Sequence, residues 1–320
     1  MTAETGIQVE RHIGEAGEFS LRLPAGSVEV SAVAGDTVRV QDLDNHELAD
    51  RFTIEQVEGG LHLAYKEARQ GLLVSRRGPA RLRIEIPANA RVSVETASAD
   101  VRADGLAGEQ RYRTASGELS LVNVAGTVRL ETMSGDAEVA LIGEAELDAR
   151  TVSGDVTATG GRLPAFVVQT TSGDLRVESS LPGPGPYSIR TVSGGARIVT
   201  SDALHVKSAT VTGTVRTSRA HEGGSGRGRT VIDVGVGGSP MAFQSISGDL
   251  VIESPGAPTV QPRLASEANV PQAIAAPESQ SSAAQKSDDD QHLAILRDLE
   301  AGRIDVAEAT VRLALIKEGD

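Results

Sequence analysis

A five-residue signature, Thr-x-Ser-Gly-Asp, recurs eight times through the middle of this chain, and it limits the fold more than any other feature. The copies begin at Thr96, Thr114, Thr132, Thr151, Thr170, Thr191, Thr210 and Ser245. Some are degenerate, such as Thr96-Ala97-Ser98-Ala99-Asp100, Thr191-Val192-Ser193-Gly194-Gly195 and Thr210-Val211-Thr212-Gly213-Thr214. Successive copies lie 18 to 21 residues apart, except the last interval, from Thr212 to Ser247, which spans 35 residues. A short fixed period with a turn at its centre is the mark of a solenoid.

Reading outward from each turn gives the period-2 alternation of a strand. Before the turn, one phase holds Val92, Val94, Thr96; Val128, Leu130, Thr132; Leu147, Ala149, Thr151; Phe166, Val168, Thr170; and Tyr187, Ile189, Thr191. After it come Val101, Ala103; Leu119, Leu121; Ala137, Val139; Val156, Ala158; Leu175, Val177; Ala196, Ile198; and Leu250, Ile252. The alternate positions are mostly Arg, Glu, Asp, Ser and Thr. The spacing therefore predicts an all-β parallel solenoid with two short strands per coil. A weaker turn closes the other edge at Leu106-Ala107-Gly108, Val124-Ala125-Gly126, Ile142-Gly143 and Thr159-Gly160-Gly161. Stacking buries the inner face of each coil against its neighbours, which one coil could not do alone. Rungs about 4.8 Å apart make eight or nine coils a stack roughly 40 Å long.

Glycine in the corner can take positive φ at no steric cost, and Ser and Asp can bond nearby backbone amides. The inward Thr is expected to hydrogen-bond the corner backbone. Aromatics make up only 2% of the chain, so the interior is narrow and filled by small aliphatics.

Around this array the chain divides into four parts. Residues 1–90 carry strand-like runs without the signature and read as an irregular β cap on the solenoid. Residues 91–255 are the regular coils, with His221 to Arg229 as a loop extruded from one of them. Residues 256–287, rich in Pro, Ala, Ser and Gln, read as a disordered linker. Residues 288–320 read as a helical hairpin. Ile295, Leu296 and Leu299 form one face ending at Gly302; Asp305 and Glu308 form a capping box. Val306, Ala309, Leu313 and Ile316 make a second stripe, which predicts docking on a protein partner or self-association.

Composition excludes several classes. There is no Cys, hence no disulfide, thiolate metal site or thiol redox chemistry. A net charge of -13 with few aromatics opposes nucleic-acid binding. The opening Met1-Thr2-Ala3-Glu4-Thr5 is neither basic nor apolar, and no run approaches the ~20 apolar residues of a membrane span, so a cytoplasmic protein is expected.

The candidate chemistry is thin. A hydrolase needs one unique constellation, whereas Ser and Asp recur with the turn and read as turn residues. A column of Asp136, Asp155 and Asp174 could attract calcium, but lacks the denser nonapeptide pattern of calcium-binding β-rolls. The histidines, 12, 46, 62, 205, 221 and 292, have no metal-ligand spacing. Gly223 to Gly228 with Arg227 and Arg229 resembles a phosphate cradle only in composition. Arg76-Arg77 is a lone basic pair. The expectation is no catalytic, cofactor-binding or metal-binding residue, and no cofactor.

The stretch Leu82-Arg83-Ile84-Glu85-Ile86-Pro87, then Val92-Ser93-Val94-Glu95-Thr96 and the Ser-Gly-Asp coils, resembles a bacterial adhesin-like β-strand-repeat family of unknown function. That resemblance covers most of residues 20 to 255. It implies a right-handed parallel β-solenoid, similar in shape to pectin lyases without their catalytic residues, and adhesion or envelope-associated roles. Leu296 to Ile316 is similar to a short helical-hairpin module often attached to such domains, with Glu300, Gly302, Ile304 and Glu308 matching its pattern. The function expected is that of a non-enzymatic structural or interaction protein, with peripheral envelope association. The alternatives are a carbohydrate-active enzyme on a β-helix scaffold and a self-polymerising scaffold of the bactofilin type.

Overall fold

Wherever apolar and polar residues alternate, the backbone is extended. The computed structural model describes residues 7–66, 78–223 and 228–256. The chain divides into two units, Met1–Thr259 and Val260–Asp320, and the described residues all lie in the first. The expected linker, beyond Gly256, and the expected helical hairpin lie outside the described residues.

Leu119–Ser134, Ala137–Ser153 and Val156–Ser172 show the repeat most plainly. Each runs as one strand from one Ser-Gly-Asp corner to the next, where the sequence suggested two. At the far edge the chain bends while still pairing on both sides. Asn123 (φ 54°), Gly126 (78°), Gly143 (79°) and Gly160 (78°) make the bend, and the register slips between Leu141 and Glu144. The weaker turn is thus a bulged corner within a continuous ladder.

The coils stack parallel and in register. Leu119, Ala137, Val156 and Leu175 form one column, and Thr132, Thr151, Thr170 and Thr191 another. The inward apolar residues read from the sequence are buried, in one continuous core. Phe166, Tyr187 and Phe243 are inside it. Full burial of each such side chain stabilises the fold by about 1.5–3 kcal/mol relative to exposure.

The order of the stack departs from the order of the sequence at both ends. Glu18–Val33 is itself a full coil, paired in parallel along both arms with Arg91–Asp104. Its corner, Leu23-Pro24-Ala25-Gly26-Ser27, aligns with Thr96 to Asp100. On its other side lie Gly60–Tyr65 and Ala80–Pro87, the two arms of a further coil. The first ninety residues therefore hold two coils, and an earlier segment is sandwiched between two later ones. Only beyond these do antiparallel strands close the end: Phe52–Val57 on one arm, Thr37–Asp42 and then Gln8–His12 on the other.

The other end repeats the device. Ser239–Ser245 and Leu250–Glu253 insert between Tyr187–Val199 and the arms Leu204–Thr210 and Val215–Thr217. This accounts for the long interval in the repeat, because the chain lays down one layer, turns back, and fills the gap it left. Of the segment expected as an extruded loop, residues 224–227 lie outside the described residues, and its two flanks form an antiparallel ribbon. His221–Gly223 pairs with Arg229–Val234, which covers Leu204–Ala209.

Candidate functional site

The corner dictates what surrounds it. Gly26, Gly117, Gly135, Gly154, Gly173 and Gly194 adopt φ between 131° and 151°. A Cβ on Gly154 would lie 2.3 Å from the carbonyl oxygen of Gly135, and one on Gly173 2.2 Å from that of Gly154. Glycine is required by the rung beneath as well as by the turn. The Asp column is equally committed. Asp136 Oδ1 accepts from the Asp155 amide at 2.9 Å, Asp155 from Asp174 at 2.7 Å, and Asp174 from Gly195 at 2.7 Å. These carboxylates tie rung to rung, as Asp100 does with Glu118 and Asp249 with Thr214.

The Thr hydroxyls follow the expected pattern only in part. Thr210 Oγ1 accepts from the Gly213 amide at 3.0 Å and Ser245 Oγ from Gly248 at 2.5 Å. Thr96 donates to Thr114 at 2.9 Å instead. The hydroxyls of Thr132, Thr151, Thr170 and Thr191 are buried without a partner. In the first three of these coils the corner Gly amide has another acceptor, since Gly135 donates to the Ser153 carbonyl, Gly154 to that of Ser172 and Gly173 to that of Ser193.

Because each Thr points inward, the residues on either side point outward and form two parallel ridges with a furrow between them. The residue after Thr gives an apolar ridge: Ala97, Ala115, Met133, Val152, Thr171, Val192 and Ile246 in stack order. Met133 is 62% exposed, and Val152 and Ile246 are half-exposed. The residue before Thr gives the opposite ridge, which reads Arg22, Glu95, Arg113, Glu131, Arg150, Gln169, Arg190, Gln244. Arginine alternates with an acceptor on every second rung.

The furrow holds three cavities of about 450, 460 and 300 Å³. The first and second share Glu95 and Thr96, and the second and third share Arg150 and Thr151, so they form one trough across successive rungs. Its two halves differ in charge. Arg22 Nε lies 2.9 Å from Glu95 Oε2, and Arg113 lies 2.8 Å from Glu131 and 3.4 Å from Glu95. Arg111 also reaches Glu131, at 2.8 Å. The Arg113 hydrogen bond holds the Glu131 carboxyl below its ordinary range, against some burial, and Glu131 raises Arg113 in return. Past Glu131 the acceptors are Gln169 and Gln244. Arg150 keeps a 3.5 Å contact with Asp148, and Arg190 has no ion-pair partner among the described residues.

The other sequence candidates do not converge. His12 sits beside Asp36 at 3.2 Å, His205 pairs with Asp233, and His221 bonds the Arg219 carbonyl at 3.0 Å. His62 lies on the strand Gly60–Tyr65, half-buried. His292, Arg76, Arg77 and Arg227 lie outside the described residues. Among the described residues, Asp42, Asp44 and His46 alone come close enough together to hold a metal ion. Their carboxylates are already taken. Buried Asp42 accepts from Arg51 at 3.1 Å and from the Asp44 amide at 2.8 Å, while Arg81 holds Asp44 at 2.6 Å. A cation there would face two guanidinium groups, so this cluster is a structural tie. Arg51 also donates to the carbonyls of Gly78 at 2.6 Å and Pro79 at 2.9 Å.

The sequence reading missed the trough altogether. Its signal was present at the positions flanking each Thr, which become legible once the copies are aligned on the corner and read across rungs.

A stack of parallel coils with a repeated glycine corner and a lateral trough defines a solenoid-like β protein. The chain belongs to the Toastrack DUF4097 family, whose profile matches residues 111–289. No curated protein matches it. Solved structures similar to this chain include a "putative adhesin" from Parabacteroides distasonis, 17% identical over 77% of this chain and 95% of that one, with a TM-score of 0.45. A "putative adhesin" from Bacteroides fragilis is 12% identical over 77% and 96% of the two chains, at 0.41. A "putative lipid binding protein" from Parabacteroides distasonis is also 12% identical, over 77% and 95%, at 0.41.

Proposed function

We propose that this chain is a non-enzymatic, adhesin-like binding protein that holds an extended ligand in the corner trough. The observation that carries this reading is the pair of ridges. The Ser-Gly-Asp residues are consumed in building the corner, while the residues flanking each Thr repeat an outward-facing pattern along the stack. Reacting groups are missing from the trough: no His or unpaired carboxylate lines the described cavities. The enzyme alternative therefore finds no general acid or base in this trough. The antiparallel strands at both ends of the stack disfavour end-to-end polymerisation of the bactofilin type.

The proposal keeps the cytoplasmic location expected from sequence, with peripheral association at the envelope. No helix among the described residues is long and apolar enough to cross a membrane. The C-terminal residues 288–320 retain their sequence-based role within the proposal, as the segment through which the protein docks or self-associates.

The test is to fill the trough from its apolar ridge. Ala115→Trp and Val152→Trp place bulk at exposed positions that the core does not use. Retention of each purified variant on the envelope polymer fraction of the native cell should fall well below that of the unaltered chain, with circular dichroism unchanged. Undiminished retention of both variants would reject the trough as the binding surface.

A further inference from the structure

Resting on the trough as the ligand site, we infer that its Thr151–Ile246 half takes an acidic polysaccharide in which charged and neutral sugars alternate. Four successive rungs of the polar ridge there read Arg150, Gln169, Arg190, Gln244. The cations recur every second rung, roughly 10 Å apart. Between them stand amides, which both donate and accept and so suit hydroxyl or acetamido groups. The cavity on the Arg150, Gln169 and Arg190 rungs is lined by no carboxylate, and Arg190 has no ion-pair partner among the described residues. The other half of the same ridge carries Glu95 and Glu131 at the equivalent positions, where they neutralise Arg22 and Arg113. One half of the trough is thus self-compensated, while the other keeps Arg190 unpaired and Arg150 in a 3.5 Å contact with Asp148, which does not line the cavity, in a chain of net charge -13.

The repeat selects the class of polymer. One rung is comparable to the length of a pyranose ring, so alternate rungs meet alternate sugars. An extended peptide fits poorly, because its same-face side chains recur about every 6.8 Å. The amides of the coils are spent in the ladders, so a peptide backbone would also find no strand edge inside the trough. Val152, Thr171, Val192 and Ile246 offer the C–H faces of the sugars an apolar wall. With no exposed aromatic among them, recognition depends on guanidinium–carboxylate pairing and repeated weak contacts.

Isothermal titration of the full chain with a hyaluronan oligosaccharide spanning four rungs tests this, against dextran, polygalacturonate and poly-L-glutamate. Saturable binding of the alternating chain, tighter than that of all three comparators, is the expected result. Arg150→Gln and Arg190→Gln should each weaken it about tenfold. Gln169→Glu, which recreates the neutralised pattern of the other half, should weaken it at least as much, whereas Glu95→Gln should not. All four positions face outward, and melting curves confirm that the fold persists. Equal affinity for poly-L-glutamate or polygalacturonate would overturn the alternation, as would insensitivity to Arg190→Gln and Gln169→Glu. Failure of the acidic chains to bind, with envelope retention still abolished by Ala115→Trp, overturns this inference while leaving the binding function standing.

Discussion

Gly154 and Gly143 both have positive φ, 138° and 79°, but they are glycine for different reasons. At Gly143 nothing lies within 4 Å of an added Cβ, so Gly143→Ala carries conformational strain only, about 1 kcal/mol. At Gly154 the Cβ would run into the Gly135 carbonyl oxygen at 2.3 Å, and that oxygen belongs to the rung below. Gly154→Ala should therefore cost at least ~2 kcal/mol more than Gly143→Ala, measured as a difference in urea midpoints. Equal costs would mean that the corner column can spread without penalty. Val168 offers an independent check on the core, since it is fully buried and Val168→Asp strands a carboxylate there. That substitution should cost several kcal/mol, and an unchanged melting temperature would contradict the packing described.

The strands and their facing were legible because alternation is a local property of the sequence, and the glycine corners because only one residue type fits them. The stack order was not legible. Leu23-Pro24-Ala25-Gly26-Ser27 lacks the Thr and Ser of the signature, yet Gly26 occupies the same column as Ala99. Which coil lies next to which is decided by the fit of whole faces, and no short motif reports it. The far edge of the coils also rests on long-range contacts. Asp202 Oδ2 accepts from the Leu181 amide at 2.5 Å, from Ser180 Oγ at 2.9 Å and from Thr200 Oγ1 at 3.2 Å. Burial pushes its carboxyl up, but these bonds and nearby Arg219 outweigh it and hold the group below its ordinary range. A depressed carboxylate contributes stability above its unfolded pKa of about 3.9 and loses it as pH falls through the folded value. Asp202→Ala should then cost about 1.5–3 kcal/mol at pH 7. The gap from the unaltered chain should close as pH drops below about 4, and a gap that stays constant down to pH 2 would exclude an ionised Asp202 as its source.

At the scale of the whole chain, residues 1–255 carry 25 basic and 33 acidic side chains, a charge that disfavours non-specific contact between β units. The proposal therefore places self-association in the C-terminal residues. Light scattering with size exclusion should show the full chain larger than its own monomer mass and a chain ending at Pro255 monomeric. Oligomers of the shortened chain would move the interface onto the coils. Monomers in both cases would make the tail a docking segment for another protein.

The layers that double back at each end bear on how such a protein can be synthesised and how it can evolve. During synthesis, Val215–Thr217 leaves the ribosome before its neighbour in the stack, Leu250–Glu253, exists. The far end must wait, with its slot held open, until nearly all of the β unit has been made. Strand Glu18–Val33 is similarly born first but enclosed late, once Ala80–Pro87 and Arg91–Asp104 arrive on either side. A gene can lengthen this protein by duplicating a coil between Leu119 and Ser172, where sequence order and spatial order agree. Adding one beyond either folded-back terminus would separate layers that interlock, so inherited changes in length should fall in the middle of the stack, with its ends kept as closed units.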